Sequence, residues 1–569
     1  MVIGRSDKFM KSIRGFTLPF ILVVLTAWTF SPVLGAGFFY VDDAQNLTAN
    51  PNLSSLAGVL HLWSAPYQNL YIPLTYTLWA LVGGVAGATH RTLTPYPFHL
   101  LNWCVHLANT VLVYVTIRNF LLLRAETKGD REGSDHRPGD WRTSLAAGLA
   151  AALWALHPLQ VETVAWASSF KDLSSGFFSL CCLLCFVCAR RMDVQARTSR
   201  RLLGLSTLAF AAALLCKPSA ISLPFVVLLW QSALPVPARK DFLVLPAVWF
   251  ALSGLFVAIT QFSQNAVVQL RTPWIDRPIV ATDALWFYAG KFLVPLGFCI
   301  DYGRTPDSVV SEPHAALVLT GTAAIGLLLL VAWKQGIRWP LLAAGTSVAF
   351  LLPVLGFVPF AFQVWSTVSD RYAYLALLGP ALAAGQVMSW ATLEQPTLER
   401  PAALAAKAKV STCLCLAFIA TCGVLSHKQA GYWRTPSFML LHTLKVNPES
   451  AMASMDLGTI AQSQGNWWLA HYYFLAFVRE SPVCAYGYNE LGVINYHLGR
   501  EQQAAQAWLI TCRLPNTSPT DRADAEMDLA FLAGKQGNHG LEATLDRAAR
   551  QDLRQPGHPA AQMPGAAGG

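Results

Sequence analysis

Phe38-Phe39-Tyr40-Val41-Asp42-Asp43-Ala44-Gln45-Asn46 sets two adjacent acids directly after an uncharged apolar run that begins near Phe16. A run of that length suffices for a bilayer crossing, which takes about 20 apolar residues. The acids therefore sit where a membrane helix surfaces. Asp commonly caps the helix that follows, whereas an ionisable group at membrane depth is costly and marks a functional cavity. On this stretch alone both readings stay open.

The rest of the chain makes the membrane setting general. Of its 569 residues 54% are hydrophobic and 13% charged, with mean hydropathy +0.40, too apolar for a soluble protein of this size. The fold class expected is all-α: a polytopic helical membrane protein followed by a short helical domain. A net charge of +9 does not imply nucleic acid, because Lys and Arg fall in short clusters between apolar spans. The first span runs into mature sequence with no small-residue cleavage site and reads as a signal anchor. Cys181, Cys182, Cys185 and Cys188 imitate metal-ligand spacing, but they lie among Phe and Leu inside a span, where Cys acts as a small hydrophobe. No metal and no cofactor are expected.

Arg5, Lys8, Lys11 and Arg14 hold the N-terminus in the cytoplasm. From Tyr40 to Pro97 the only basic residue is Arg91, so this aromatic segment belongs outside, as helices in the outer interface. The basic clusters around Arg124 to Arg142, Arg190 to Arg201 and Arg239-Lys240 mark successive returns inside. Ala281 to Cys299, which contains Lys291 and Pro295, makes a poor span; treating it as re-entrant puts Lys334, Arg338, Arg400, Lys407 and Lys409 all in the cytoplasm. Eleven spans result within a membrane domain of residues 1–426, in an inner (cytoplasmic) cell membrane, with the C-terminus periplasmic or otherwise extracytoplasmic.

After Ser426 the composition becomes that of soluble helix. Leu457-Gly458, Ala470, Phe474 and Pro482 follow the tetratricopeptide pattern, and Leu491-Gly492, Ala504 and Trp508 repeat it 34 residues on. A degenerate third unit lies near Leu529-Ala530. This gives a repeat domain over 427–554 and a Pro/Gly/Ala-rich, disordered 555–569. Cys484 and Cys512 fall at adjoining ends of one helix hairpin, either as a disulfide or as two packed thiols.

Collected on the outer side are Asp42, Asp43, His157, Glu162, Lys171, Asp172, Lys217, Arg271, Asp301, Arg304, Asp370 and Arg371. They come from separate loops. One acid pair facing several cations suits group transfer from an anionic phosphate leaving group.

Tyr40-Val41-Asp42-Asp43, Tyr71-Ile72-Pro73-Leu74-Thr75, Phe98-His99-Leu100-Leu101-Asn102, His157-Pro158-Leu159-Gln160-Val161-Glu162-Thr163-Val164-Ala165-Trp166, Cys216-Lys217-Pro218 and Ser369-Asp370-Arg371-Tyr372-Ala373-Tyr374-Leu375 occur in this order before the repeat tail. That series resembles the transmembrane and tetratricopeptide-repeat O-mannosyltransferases and their bacterial homologues. The resemblance implies a C-type glycosyltransferase fold that takes a sugar from a polyprenyl-phosphate carrier, itself a substrate, at the outer membrane face. It implies an acid after the first span, here Asp42 or Asp43, as general base on an acceptor hydroxyl, with inversion at the sugar. The acceptor is a protein Ser or Thr or a glycan, docked by the repeats. Donor or phosphate contact is assigned to Arg371, Lys217 and His157, with Glu162, Asp370 and Lys171 beside them. Tyr71-Ile72-Pro73 departs from the family, which usually has Arg before that Pro, and the repeat tail is short. A lipid-linked oligosaccharide ligase and a non-enzymatic repeat scaffold for envelope proteins are the competing expectations.

Overall fold

The computed structural model describes residues 17–39, 42–89, 93–127, 141–192, 196–234, 240–264, 272–393, 402–515 and 517–554. The N-terminal basic cluster, Arg271 and the 555–569 tail lie outside these. Among the described residues the protein is helical without a strand, with one isolated bridge between Tyr67 and Leu70.

Six described helices are long and apolar enough to cross a bilayer: Tyr96–Ala125, Ala167–Arg191, Ala196–Cys216, Lys240–Ser263, Ala315–Lys334 and Lys409–Arg434. Trp141–Ala155 and Pro158–Ala165, bent by 56°, qualify together as a seventh, while Thr17–Thr29, Pro218–Ser232 and Trp339–Val354 are apolar but shorter. Length and composition thus support six or seven crossings where charge patterning led to eleven. The shortfall has local causes. Beyond Thr29 the first span tightens into a 3₁₀ turn at Ser31–Gly35, and the segment from Tyr372 starts as a 3₁₀ turn, its regular helix beginning only at Leu378. The segment from Ala281 is helical over Arg277–Leu293 and is not among the spans. Lys291 folds back there to donate to the carbonyls of Leu296 (2.9 Å) and Gly297 (2.6 Å).

Three breaks in the helical pattern position the charged loops. At His157-Pro158 the proline disfavours helical backbone at the residue before it, and His157 is extended, with its Nδ1 accepting the Leu159 N–H at 3.2 Å. The chain turns there, and Glu162 follows in a short buried helix. At Lys217-Pro218 the same rule holds Lys217 extended between two helices, and at Ser369 extended backbone precedes the 3₁₀ turn Asp370–Ala373. Each break leaves an ionisable residue where the regular ladder stops.

The chain divides into two compact units. One holds the residues up to Ile300 with Arg304–Phe438, and the other holds Asp301–Gly303 with the chain from Met439. The division falls at Phe438 rather than Ser426 because the last span continues to Gly431. Ser426 bonds the Leu156 carbonyl (2.7 Å), and His427 stacks on Trp28 at 4.7 Å.

In the second unit, Ala451–Ser463 pairs with Trp467–Glu480, Ala485–His497 with Glu501–Arg513, and Pro519–Lys535 with His539–Leu553. A Cβ on Gly458 would stand 2.7 Å from Phe474, and one on Gly492 would stand 2.3 Å from Trp508. Gly465 and Gly499 take positive φ at the turns of the first two hairpins. Both relationships recur at the 34-residue shift. Cys484 and Cys512 are free thiols rather than a bridge. Cys512 packs instead against the cluster of Ala504, Trp508, Ala525, Leu529 and Leu532.

Candidate functional site

The two acids of the opening stretch have different environments. Asp43 is fully buried and does not cap the short π-helix Ala44–Thr48 that it precedes. Its Oδ2 accepts the Phe39 N–H at 2.6 Å, and its Oδ1 accepts both the N–H (2.9 Å) and the hydroxyl (2.5 Å) of Ser168. Burial pushes its carboxyl up to about 6, against the pull of those hydrogen bonds and with some help from the neighbouring Asp42 charge. Asp42 is partly exposed, and its carboxylate has no hydrogen-bond or ion-pair partner among the described residues.

Asp42 lines a cavity of about 780 Å³ in the first unit. Lys171, Lys217, Arg371 and Tyr372 line the same cavity. Much of the remaining wall is apolar, with Ile221, Phe225, Phe250, Val257, Leu352, Phe357 and Trp365 among its residues. A large, mostly apolar space with a few charged groups is the usual form of a small-molecule site.

Arg371 is held on several sides. Its guanidinium pairs with Glu162, and its backbone N–H donates to the other Glu162 oxygen at 3.2 Å. The Ser369 hydroxyl donates to the same carboxylate, at 2.8 and 3.1 Å to its two oxygens. Aromatic rings surround the charge: Phe362 at 4.3 Å, and Trp166 and Tyr372 both at 5.0 Å. Such cation–π contacts strengthen as water is removed. Tyr288 fixes the turn itself, donating its hydroxyl to the Ser369 carbonyl (3.0 Å) and accepting the Ser369 N–H (3.1 Å).

Lys217 pairs with Asp172, in the first turn of the helix Phe170–Arg191, and lies 5.5 Å from the centre of the Tyr372 ring. Burial pulls the Lys217 amine below its ordinary value, and Asp172 opposes that shift. Two of the three cavity cations are thus neutralised by buried carboxylates. Lys171 has no carboxylate partner among the described residues.

The other sequence candidates lie elsewhere. His157 is buried away from the cavity lining, its Nε2 3.2 Å from the Phe292 carbonyl and its ring stacked on Phe292 at 5.3 Å. With Nδ1 accepting the Leu159 N–H, both ring nitrogens are engaged at the helix break. Asp370 is buried, close enough to act electrostatically on Lys291, and does not line the cavity. Arg304 pairs with Asp283, and Asp301 belongs to the second unit, where it accepts the Ser450 hydroxyl at 2.6 Å. Sequence reasoning missed Trp166, Phe362 and Tyr372 as the aromatic enclosure of Arg371, although Trp166 and Tyr372 stand inside two of the quoted motifs.

No family model matches the chain. Among curated proteins it is 21% identical over 493 residues to the protein O-mannosyl-transferase F38B6.6 of Caenorhabditis elegans, covering 82% of this chain and 64% of that protein. It is 24% identical over 494 residues to the human protein O-mannosyl-transferase TMTC4, covering 77% and 63%. The match to the Drosophila melanogaster protein O-mannosyl-transferase Tmtc2 is 28% over 280 residues, 46% of this chain and 26% of that one. The chain spans less than two thirds of the length of these relatives. They are animal proteins, and nothing in them supports a bacterial assignment.

Proposed function

We propose that this chain is a membrane glycosyltransferase that moves a sugar, mannose by similarity to its relatives, from a polyprenyl-phosphate carrier to a protein Ser or Thr hydroxyl. The observation that carries this reading is the sharing of one cavity by Asp42 and the three cations Lys171, Lys217 and Arg371. In the proposed step the Asp42 carboxylate takes the acceptor hydroxyl proton. The oxygen forms its bond to the anomeric carbon as the bond from that carbon to the phosphate oxygen breaks, with inversion. Polyprenyl phosphate leaves with the electron pair, and its charge falls among the cations. General-base help is worth roughly 10²–10⁴-fold, and fixed cations at the leaving oxygen add electrostatic stabilisation without reorganisation.

The pairing of Lys217 with Asp172 and of Arg371 with Glu162 leaves Lys171 as the uncommitted cavity cation among the described residues. That balance favours a singly charged phosphodiester over the lipid diphosphate an oligosaccharide ligase would use. The apolar wall suits the isoprenoid chain. The membrane body sits with this cavity opening extracytoplasmically, and the helical hairpins of the second unit serve as a tetratricopeptide-like dock for the acceptor.

The test is transfer by the purified full chain from polyprenyl-phosphate mannose to Ser/Thr peptides, wild type against Asp42→Asn. Transfer that is lost in the variant supports the reading. Equal transfer by both removes Asp42 as the base, and no transfer by the wild type from any polyprenyl-phosphate sugar removes the reading.

A further inference from the structure

Between the interfacial helices Leu56–Ser64 and Pro73–Thr89 the chain makes a tight turn, closed by two hydrogen bonds of 2.9 Å between the backbones of Tyr67 and Leu70. Its two central residues are Gln68 and Asn69, with φ of 48° and 59°. They are the only non-glycine residues with positive φ among those described. A turn with positive φ at both centres strongly prefers glycine or asparagine, above all Asn-Gly. Gln lacks the short side chain that makes the left-handed region tolerable for Asn, so the turn holds a strained residue. Strain of this kind persists where the surroundings impose it and gathers at functional sites.

The surroundings here are those of the candidate site. The Tyr67 hydroxyl donates to the carbonyl of Gln45, on the π-helix that follows Asp42 and Asp43, at 3.3 Å. The Tyr76 hydroxyl donates to the Tyr67 carbonyl at 3.2 Å, and Tyr71 ties the exit of the turn to the Trp63 carbonyl at 2.9 Å. Asn69 then lines the same cavity as Asp42. The hydroxyls of Ser222, Ser253, Thr260 and Ser263 in that lining are taken up by backbone carbonyls. The Asn69 amide is exposed and has no hydrogen-bond partner among the described residues.

We propose that Asn69 reads the acceptor: its side-chain amide, presented by the strained turn, hydrogen-bonds a backbone peptide group of an extended polypeptide segment whose Ser or Thr hydroxyl is delivered to Asp42. The inference rests on the functional reading above and adds to it the side from which the acceptor enters. A carboxamide carries a donor and an acceptor together, which matches a peptide group and is indifferent to sequence. Lys171, Lys217 and Arg371 belong to the donor phosphate; of the lining side chains without a hydrogen-bond partner among the described residues, which include Ser219 and Gln261, Asn69 is the one whose turn is tied through Tyr67 to the helix after Asp42.

The turn supplies its own discriminating variant. Asn69→Gly removes the amide and installs the residue such a turn favours most, so a purely conformational role for Asn69 predicts an unchanged or improved fold and unchanged kinetics. The proposal instead expects the KM for a Ser/Thr peptide to rise about five- to tenfold, the loss of one or two ordinary hydrogen bonds, with the KM for polyprenyl-phosphate mannose and the thermal unfolding midpoint held. Gln68→Gly is the companion: it relaxes the neighbouring strain, keeps the amide, and is expected to leave the peptide KM within twofold. An Asn69→Gly peptide KM within twofold of wild type overturns the inference while leaving the functional reading intact. Equal rises in both variants also overturn it, because turn rigidity rather than the amide would then be responsible. Absence of transfer by the wild type fails the functional reading itself, and this inference with it.

Discussion

Asp43 and Ser168 stand 125 positions apart in the chain and are joined twice, through the Ser168 N–H and its hydroxyl, both to one carboxylate oxygen. The other oxygen holds the Phe39 N–H at 2.6 Å. This junction ties the segment carrying Asp42 to the one carrying Lys171. Asp43 is buried outside the cavity lining and anchors the segment that carries Asp42.

The two acids are expected to fail differently. Asp42→Asn should cut sugar transfer by roughly 10²–10⁴-fold with an unfolding midpoint close to wild type, because a partly exposed carboxylate loses its basicity and little packing. Asp43→Asn turns one of the two oxygens that accept three buried donors into an N–H₂, setting donor against donor, and should cost roughly 1–3 kcal/mol, seen as a lower midpoint with a smaller loss of turnover. Transfer assays and thermal unfolding of both variants in detergent check this, and an Asp43 variant that is stable but as inactive as the Asp42 variant would contradict it.

The raised Asp43 carboxyl sets a pH dependence. Its ordinary value is 3.8, and burial moves it to about 6. Between these values the folded protein binds more protons than the unfolded chain, so the contribution of this group to stability falls as pH rises through that window and is flat above it. Unfolding midpoints from pH 4 to 7 should show that fall in the wild type and lack it in Asp43→Asn. Parallel profiles would refute the assignment.

Glu162→Gln leaves the Arg371 charge buried among rings without its counter-ion. Breaking a buried pair from one side costs roughly 3–5 kcal/mol, whereas replacing both partners with apolar groups is often neutral. Glu162→Leu with Arg371→Met should therefore recover most of the stability lost by Glu162→Gln while transfer stays absent. Recovery of activity in the double variant would show that Arg371 does not meet the donor.

In the second unit, Gly492→Ala would drive a methyl to within 2.3 Å of the Trp508 ring. Overpacking of this order costs roughly 1–3 kcal/mol. Gly465→Ala meets no atom within 4 Å but must hold φ of 71°, a smaller penalty from backbone alone. Limited proteolysis of the full chain should rank Gly492→Ala as the more labile.

Much of this arrangement was legible in the chain because helix-breaking chemistry is local. The Pro after His157 and the Pro after Lys217 announce where regular helix stops, and the apolar runs announce where the long helices lie. What each loop residue then touches depends on partners far off in sequence. His157 reads as a phosphate ligand until the carbonyl of Phe292 and the N–H of Leu159 are seen to occupy its nitrogens. The enclosure of Arg371 draws on Trp166 and Phe362, which no spacing rule connects. The strain at Gln68 was invisible for a simpler reason: glutamine is not a turn-forming residue, so only the backbone reveals it. Fewer helices reach full bilayer length among the described residues than the eleven expected, because hydropathy registers an apolar segment without registering where its helix tightens into a 3₁₀ turn.

The glycine-on-aromatic contacts, Gly458 on Phe474 and Gly492 on Trp508, are each made within their own hairpin. A hairpin closed by its own residues can be copied without redesigning its neighbours. Duplicating residues 451–484 in tandem adds one 34-residue period that carries a whole hairpin with its turn glycine, Gly465, so the array should accept the insert as an extra rung. The length of this unit is then an adjustable dimension of the protein, open to gain or loss of whole rungs while the membrane chemistry stays untouched.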